Sequence, residues 1–134
     1  MTTDVDAVLV QRGSPPDLDA ERLLDVRPGG GSTFDGDRRW ASLSFVYDGV
    51  YARSYGRDDV VAALEAATGH VDDGGTVRLG NRSRLRFDWS ETTIRTVERG
   101  LASAARESGG RLVTWTDEPP EPDDESLYDA VVRR

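Results

Sequence analysis

Residues 40–55 read WASLSFVYDGVYARSY, and this stretch decides the fold. Asp48-Gly49 is the favoured two-residue type I′ turn, because both residues tolerate positive φ. It links two alternating apolar runs, so Trp40 to Tyr47 and Val50 to Tyr55 form a β-hairpin. The turn pairs Tyr47 with Val50, Phe45 with Ala52 and Leu43 with Ser54. One face then carries Ala41, Leu43, Phe45, Tyr47, Val50 and Ala52, and is assigned to the core. The other carries Trp40, Val46, Tyr51, Arg53 and Tyr55.

Upstream, Val5 to Gln11 is nearly continuous in apolar residues and reads as a central strand. Ser14-Pro15-Pro16-Asp17 is a helix start signal, with Ser as N-cap and Pro at the first helical position. It predicts a helix to about Asp25, burying Leu18 with Leu23 or Leu24. Residues 27–39, RPGGGSTFDGDRR, form a long polar loop. Its three consecutive glycines could cradle a phosphate through backbone N–H groups. No strand leads in and no Lys follows, so a flexible surface loop is the expectation.

Downstream, Asp58 to about Thr68 reads as a helix with Gly69 as its stop and Val60, Val61, Leu64 and Ala67 as its buried stripe. His70 to Gly75 is a turn. Thr76 to Leu79 and Ser83 to Trp89 read as a second hairpin. A two-residue Gly80-Asn81 turn would place Arg82 and Arg84 on the face of Val77 and Leu79. The loop Gly80-Asn81-Arg82 avoids burying arginines and is the expected register, with Arg78, Arg84, Arg86 and Asp88 on the outer face. Ser90 caps a helix that ends near Ser108 before Gly109-Gly110, with Ile94, Val97, Leu101 and Ala104 or Ala105 buried. A last strand runs from Arg111 to about Thr116.

The expected fold is α+β, a mainly antiparallel sheet of about six strands in the order β-α-β-β-α-β-β-α-β, with helices on one face. Residues 40–69 and 76–109 each read as hairpin then helix, consistent with a duplicated ββα unit at the level of architecture alone. Residues 1–116 make a single domain. Residues 117–134 are an acidic, proline-rich spacer and a short C-terminal segment of one or two helical turns.

The 134 residues include 25 Asp and Glu against 17 basic residues, giving a net charge of −8. Every basic residue is Arg, and Asp outnumbers Glu about two to one. This composition resembles that of salt-in halophilic archaea, in which carboxylates keep surfaces hydrated. At 1 M salt the Debye length is about 3 Å, so the self-repulsion of the acidic surface is screened. A GC-rich genome alone also favours Arg, but does not explain the Asp excess.

There is no Cys and there is one His, His70. Thiolate chemistry, thiolate zinc sites and multi-His metal sites are excluded, and without Lys so are Schiff bases and a P-loop lysine. No cofactor and no metal is expected, and no catalytic residue stands out. The paired acids Asp58-Asp59, Asp72-Asp73 and Asp123-Asp124 lack the spacing of an oxygen-ligand loop and read as solvated surface. His70, just past a helix end, reads as a turn residue that stabilises carbonyls rather than a general base. The apolar run Ala7 to Val10 is too short for a membrane span or signal core, so a soluble, cytoplasmic protein is expected.

If both hairpins share one sheet, its outer face collects Trp40, Tyr51, Arg53, Tyr55, Arg78, Arg84 and Arg86. Rings interleaved with Arg are how single strands are held, by stacking and phosphate contacts. The same residue types are enriched in protein interfaces, and here a second small core is a third reading. About four phosphate contacts give a salt slope near −3.6, which penalises an electrostatic site at molar salt. The expected function is therefore a non-enzymatic protein-interaction or regulatory module forming a homodimer, through this face or through tail residues Leu127, Tyr128 and Val131. The partner is a second copy or another protein, with no membrane. The alternative is a single-stranded nucleic-acid binder through the aromatic and Arg face. A weaker alternative is an enzyme acting on a phosphorylated small molecule, which requires a pocket lined by Arg and the 27–39 loop.

Overall fold

The computed structural model describes residues 6–20, 22–28, 42–56, 59–86 and 89–133. In chain order the elements are β1 (Ala7–Gln11), β2 (Leu23–Pro28), β3 (Ser42–Tyr47), β4 (Val50–Gly56), α1 (Val60–Asp72), β5 (Thr76–Leu79), α2 (Arg82–Leu85), α3 (Glu91–Ser108), β6 (Arg111–Thr116), α4 (Asp124–Leu127) and β7 (Ala130–Val132). The class is α+β. Among the described residues the sheet has seven strands, in the order β4-β3-β2-β5-β6-β1-β7. The β2/β3 and β3/β4 pairs are antiparallel. The pairs β2/β5, β5/β6, β1/β6 and β1/β7 are parallel, so the sheet is mixed rather than mainly antiparallel.

The hairpin forms at Asp48-Gly49, with φ of 49° and 88° as a type I′ turn needs. Tyr47 pairs with Val50, but the register then slips by one. Val46 pairs with Tyr51 and Phe45 with Arg53, leaving Ala52 as the extra residue of a bulge. A one-residue slip exchanges the faces beyond it. Tyr55 therefore joins the core, its ring 4.7 Å from that of Phe45, and the bulged Ala52 is exposed. Val50, on the turn side of the bulge and still paired with Tyr47, is exposed as well. Trp40 and Ala41 lie outside the described residues.

Two expected elements are corrected. Residues 14–20 are not helical, and Leu23 to Pro28 form β2 in the middle of the sheet. The local start signal at Ser14-Pro15 loses to the pairing of β2 with β3 on one side and β5 on the other. The expected strand from Ser83 to Trp89 is not found among its described residues, Ser83 to Arg86 and Trp89. Both edges of β5 are occupied, by β2 and β6, so no hairpin partner has room. Asn81 instead caps α2, its Oδ1 accepting the Ser83 N–H at 3.0 Å. Among the described residues β5 is followed by α2 and α3, so the second ββα unit, and with it the duplication, is not found.

Helix α3 and strand β6 match the expected bounds. Ser90 Oγ accepts the Thr93 N–H at 3.1 Å, and Gly109 closes the helix with a φ of 86°. Helix α1 runs past Gly69 to Asp72 and buries Ala63, Ala67 and Val71, while Val61 faces solvent. Helices α1 and α3 pack together on the sheet face that carries Leu24, Val26, Val77, Leu79 and Leu112. The alternation of the strands sends Asp25, Arg78 and Val113 to the opposite face. No described helix is long and apolar enough to cross a membrane.

Candidate functional site

Parallel alignment brings the carboxyl ends of β2, β5, β6 and β1 to one edge of the sheet. From β2 the chain moves outward to β3 and β4, then crosses back to β5 and β6. The order reverses between β2 and β5, and ligands of open parallel sheets bind outside the strand ends at such a switch point. A cleft of about 460 Å³ lies there. Strand β2 contributes Asp25, Arg27 and Pro28; Gly80 and Asn81 follow β5; Trp115 and Asp117 come from the end of β6; Arg84 reaches in from α2. Gly13 and Pro15, just after β1, complete the rim.

Asp25 is buried and accepts a fork from Arg78, Nε to Oδ1 at 2.6 Å and Nη2 to Oδ2 at 2.8 Å. Arg78 also donates to the Pro16 carbonyl at 2.6 Å, which pins the 13–20 segment over this face. Arg27 leans on Asp25 at 3.3 Å with its side chain 52% exposed, and it makes no other ion pair among the described residues. On the other wall, Ser83 Oγ donates to Asp117 Oδ1 at 2.6 Å, and Asn81 Oδ1 lies 3.4 Å from the Asp117 N–H. The Ser83 and Asn81 hydrogen bonds hold the Asp117 carboxyl below the usual range, helped by nearby Arg84. Arg84 is exposed and makes no ion pair with another described residue. Among the described residues no cluster of three or more His, Cys, Asp or Glu is arranged to hold a metal ion.

The residues singled out from the sequence do not gather on one face. Arg78 is spent on Asp25. Arg86 is held by Glu91, Glu118 and Glu121. Arg53 stacks over the Tyr55 ring at 4.4 Å, and Tyr55 is buried. Tyr51 is exposed on the edge strand β4, its hydroxyl 3.1 Å from Ser54 Oγ. Trp40 lies outside the described residues. Of the six that are described, Arg84 alone lines the cleft. Asp25, Arg27, Asn81, Trp115 and Asp117 were missed because the cleft exists only once four parallel strand ends are placed side by side.

The C-terminal segment docks on its own domain. Leu127 and Tyr128 are buried in the core, Val131 packs against it, and β7 extends the sheet beside β1. Beneath this segment lies a buried ion network. Arg82, only 1% exposed, donates to Asp124 through Nη1 and Nη2 at 2.8 and 3.0 Å and to Glu98 at 3.1 Å. Arg95 donates to Asp124 at 2.6 Å and Glu98 at 3.2 Å. The Tyr128 hydroxyl sits 2.7 Å from both Glu98 Oε2 and Thr114 Oγ1. Burial alone would raise the Asp124 carboxyl, but Arg82, the Glu121 N–H and Arg95 bring it down to about 2. Burial and the Glu98 charge push the Tyr128 hydroxyl well above its ordinary value.

No protein-family model and no curated protein matches the chain. Among solved structures it is similar to the crystal structure of RNase H1 from the halophilic archaeon Halobacterium salinarum NRC-1. The identity is 20% over 80% of this chain and 92% of that one, with a TM-score of 0.30. A TM-score that low assigns no activity to this chain. The expected homodimeric, non-enzymatic interaction module is nevertheless corrected. The tail residues meant for a second copy are taken up by the chain's own core, which holds Leu127 and Tyr128 with Val131 packed against it, and Arg78 and Arg86 are paired with acids of the same chain.

Proposed function

We propose that the chain binds single-stranded nucleic acid in the cleft at the carboxyl ends of β2, β5 and β6. The observation that carries this reading is that two exposed arginines, Arg27 and Arg84, line one cleft together with Trp115. Arg donates to phosphate in planar, directional forks, and these survive high salt better than a diffuse positive field. That distinction matters for a chain of net charge −8 with no Lys, whose composition fits a salt-adapted habitat. An overall field would repel a polyanion, so binding has to come from local geometry. The ionised Asp117 carboxylate accepts donors from a base edge, as carboxylates do with amino groups of bases.

The test is fluorescence anisotropy of a labelled oligothymidylate of about twelve residues, a length suited to one small site, titrated across KCl concentrations. Arg27→Ala and Arg84→Ala each weaken binding, while Arg53→Ala, on the hairpin away from the cleft, leaves it unchanged. Absence of binding by the unaltered protein, or wild-type affinity in both cleft variants, sinks the reading. The volume also suits a small phosphorylated ligand. A nucleoside monophosphate arm decides between the two: if it binds as tightly as the oligomer, the strand reading fails.

A further inference from the structure

Helix α2 points two arginines in opposite directions. Arg82 enters the buried network and Arg84 enters the cleft, with a single residue between them. Four residues are too few to hold a helix by themselves, since nucleation alone is unfavourable. The orientation of α2 is therefore set by what grips it. Its N-terminus is capped by Asn81, and its body is gripped through Arg82 by Glu98 on α3 and Asp124 on α4. Asp124 belongs to the C-terminal segment and is itself fixed by the Glu121 N–H at 2.7 Å and by Arg95 at 2.6 Å.

We infer that Asp124 and Arg82 are positioning residues for Arg84, so that docking of the C-terminal segment completes the cleft. This rests on the strand-binding reading above. The buried fork fixes the roll of α2, and the roll decides whether the Arg84 guanidinium reaches the ligand. With the segment docked, the cleft offers Arg27 and Arg84 to two phosphates. With Asp124 unable to hold Arg82, α2 rotates or frays and one phosphate contact is lost, while Arg27, anchored on β2, keeps the other.

The salt slope of binding reads this directly, because it counts phosphates at about −0.7 per phosphate for single strands. The unaltered protein gives a slope of about −1.4, and Asp124→Asn and Arg84→Gln each give about −0.7. Combining them lowers the slope no further, because both remove the same contact. A merely structural role lowers the fraction of folded protein and shifts affinity without changing the slope. The comparison is made over the salt range where circular dichroism shows each variant fully folded. Arg106→Gln is the control. It breaks the Arg106 bonds to Asp129 and the Leu127 carbonyl in the same segment without touching α2, and its slope stays at the wild-type value. Arg82→Lys covers the case in which Asp124→Asn fails to fold. It keeps the charge but loses the fork, and its slope falls below wild type in magnitude.

Wild-type slopes in both Asp124→Asn and Arg82→Lys overturn the inference. If the unaltered protein binds no oligonucleotide, the strand reading fails, and amide exchange across Asn81 to Leu85 decides the positioning role on its own. Exchange there about tenfold faster in Asp124→Asn, with α1 unchanged, supports it. Unchanged protection of α2 rules it out.

Discussion

Arg82 and Asp124 stand 42 positions apart in the sequence and meet inside the protein in a fork of two hydrogen bonds, 2.8 and 3.0 Å long. With Arg95 and Glu98 they form a buried group of two cations and two anions whose charges cancel. Cancellation makes the burial tolerable. Desolvating each ion costs several kcal/mol, and only close, saturated partners offset it. Removing one member leaves a charge stranded, so the network fixes one arrangement of α2, α3 and the C-terminal segment.

Acid therefore unlocks the C-terminal segment. The Asp124 carboxyl lies at about 2 in the folded protein, below its unfolded value. A depressed pKa contributes stability that is fully present above the unfolded value, near 4, and is lost as pH falls through the folded value. The contribution is on the order of 2 kcal/mol. Urea midpoints measured from pH 5 down to about pH 2 should fall in the wild type and fall less in Asp124→Asn. A parallel fall in both proteins contradicts the assignment.

The fork from Arg78 to Asp25 carries a second, separate penalty. Arg78→Ala leaves a buried carboxylate with only the long, half-exposed contact to Arg27 at 3.3 Å. It also frees the Pro16 carbonyl, and with it the 13–20 segment. The expected loss is about 3 kcal/mol, most of it regained in the double variant Asp25→Leu with Arg78→Met. Chemical denaturation at molar salt measures both. A loss under about 1 kcal/mol in the single variant means the pair is solvated in solution.

Local signals in this sequence translated directly into structure. The Asp48-Gly49 turn, the Ser90 cap and the Gly109 stop depend on residues within one turn of each other, and all three appear where the sequence places them. Signals that compete with distant pairing did not. Ser14-Pro15 is a sound helix start, yet Leu23 to Pro28 are claimed as a strand by two neighbours from elsewhere in the chain. The preference for exposed arginine chose a second hairpin, whereas Arg82 is buried because Glu98 and Asp124 supply its counter-charges. No window of sequence contains all three. The bulge at Ala52 has no local marker either, and it alone moves Tyr55 from the outer face to the core. The cleft was hidden for the same reason, since it depends on parallel strand order and not on any motif.

At the hairpin, Gly49→Ala places a Cβ at a φ of 88°. Nothing lies within 4 Å of that Cβ, so the cost is conformational and amounts to about 1 kcal/mol. The loss should appear wholly in the urea midpoint, with oligonucleotide binding intact in the folded protein, because the turn is remote from the cleft. A loss of several kcal/mol would mean that the turn is also packed against something.

Gly80→Ala is the corresponding test inside the cleft, and here the obstacle is steric. A Cβ at Gly80 falls 2.5 Å from the Trp115 ring and 2.7 Å from the Trp115 carbonyl oxygen. The ring can swing, but it swings into the cleft that Trp115 and Gly80 both line. The carbonyl belongs to the backbone of β6, beside β1, and cannot move without opening that pairing. Overpacking of this kind costs about 1–3 kcal/mol. Binding should weaken beyond what the stability loss explains, because the displaced ring occupies ligand space. Trimming the ring with Trp115→Ala separates the two effects. In the double variant the backbone clash remains, so stability is not restored, while the cleft is reopened. Full recovery of stability in that variant would place the strain in the ring alone.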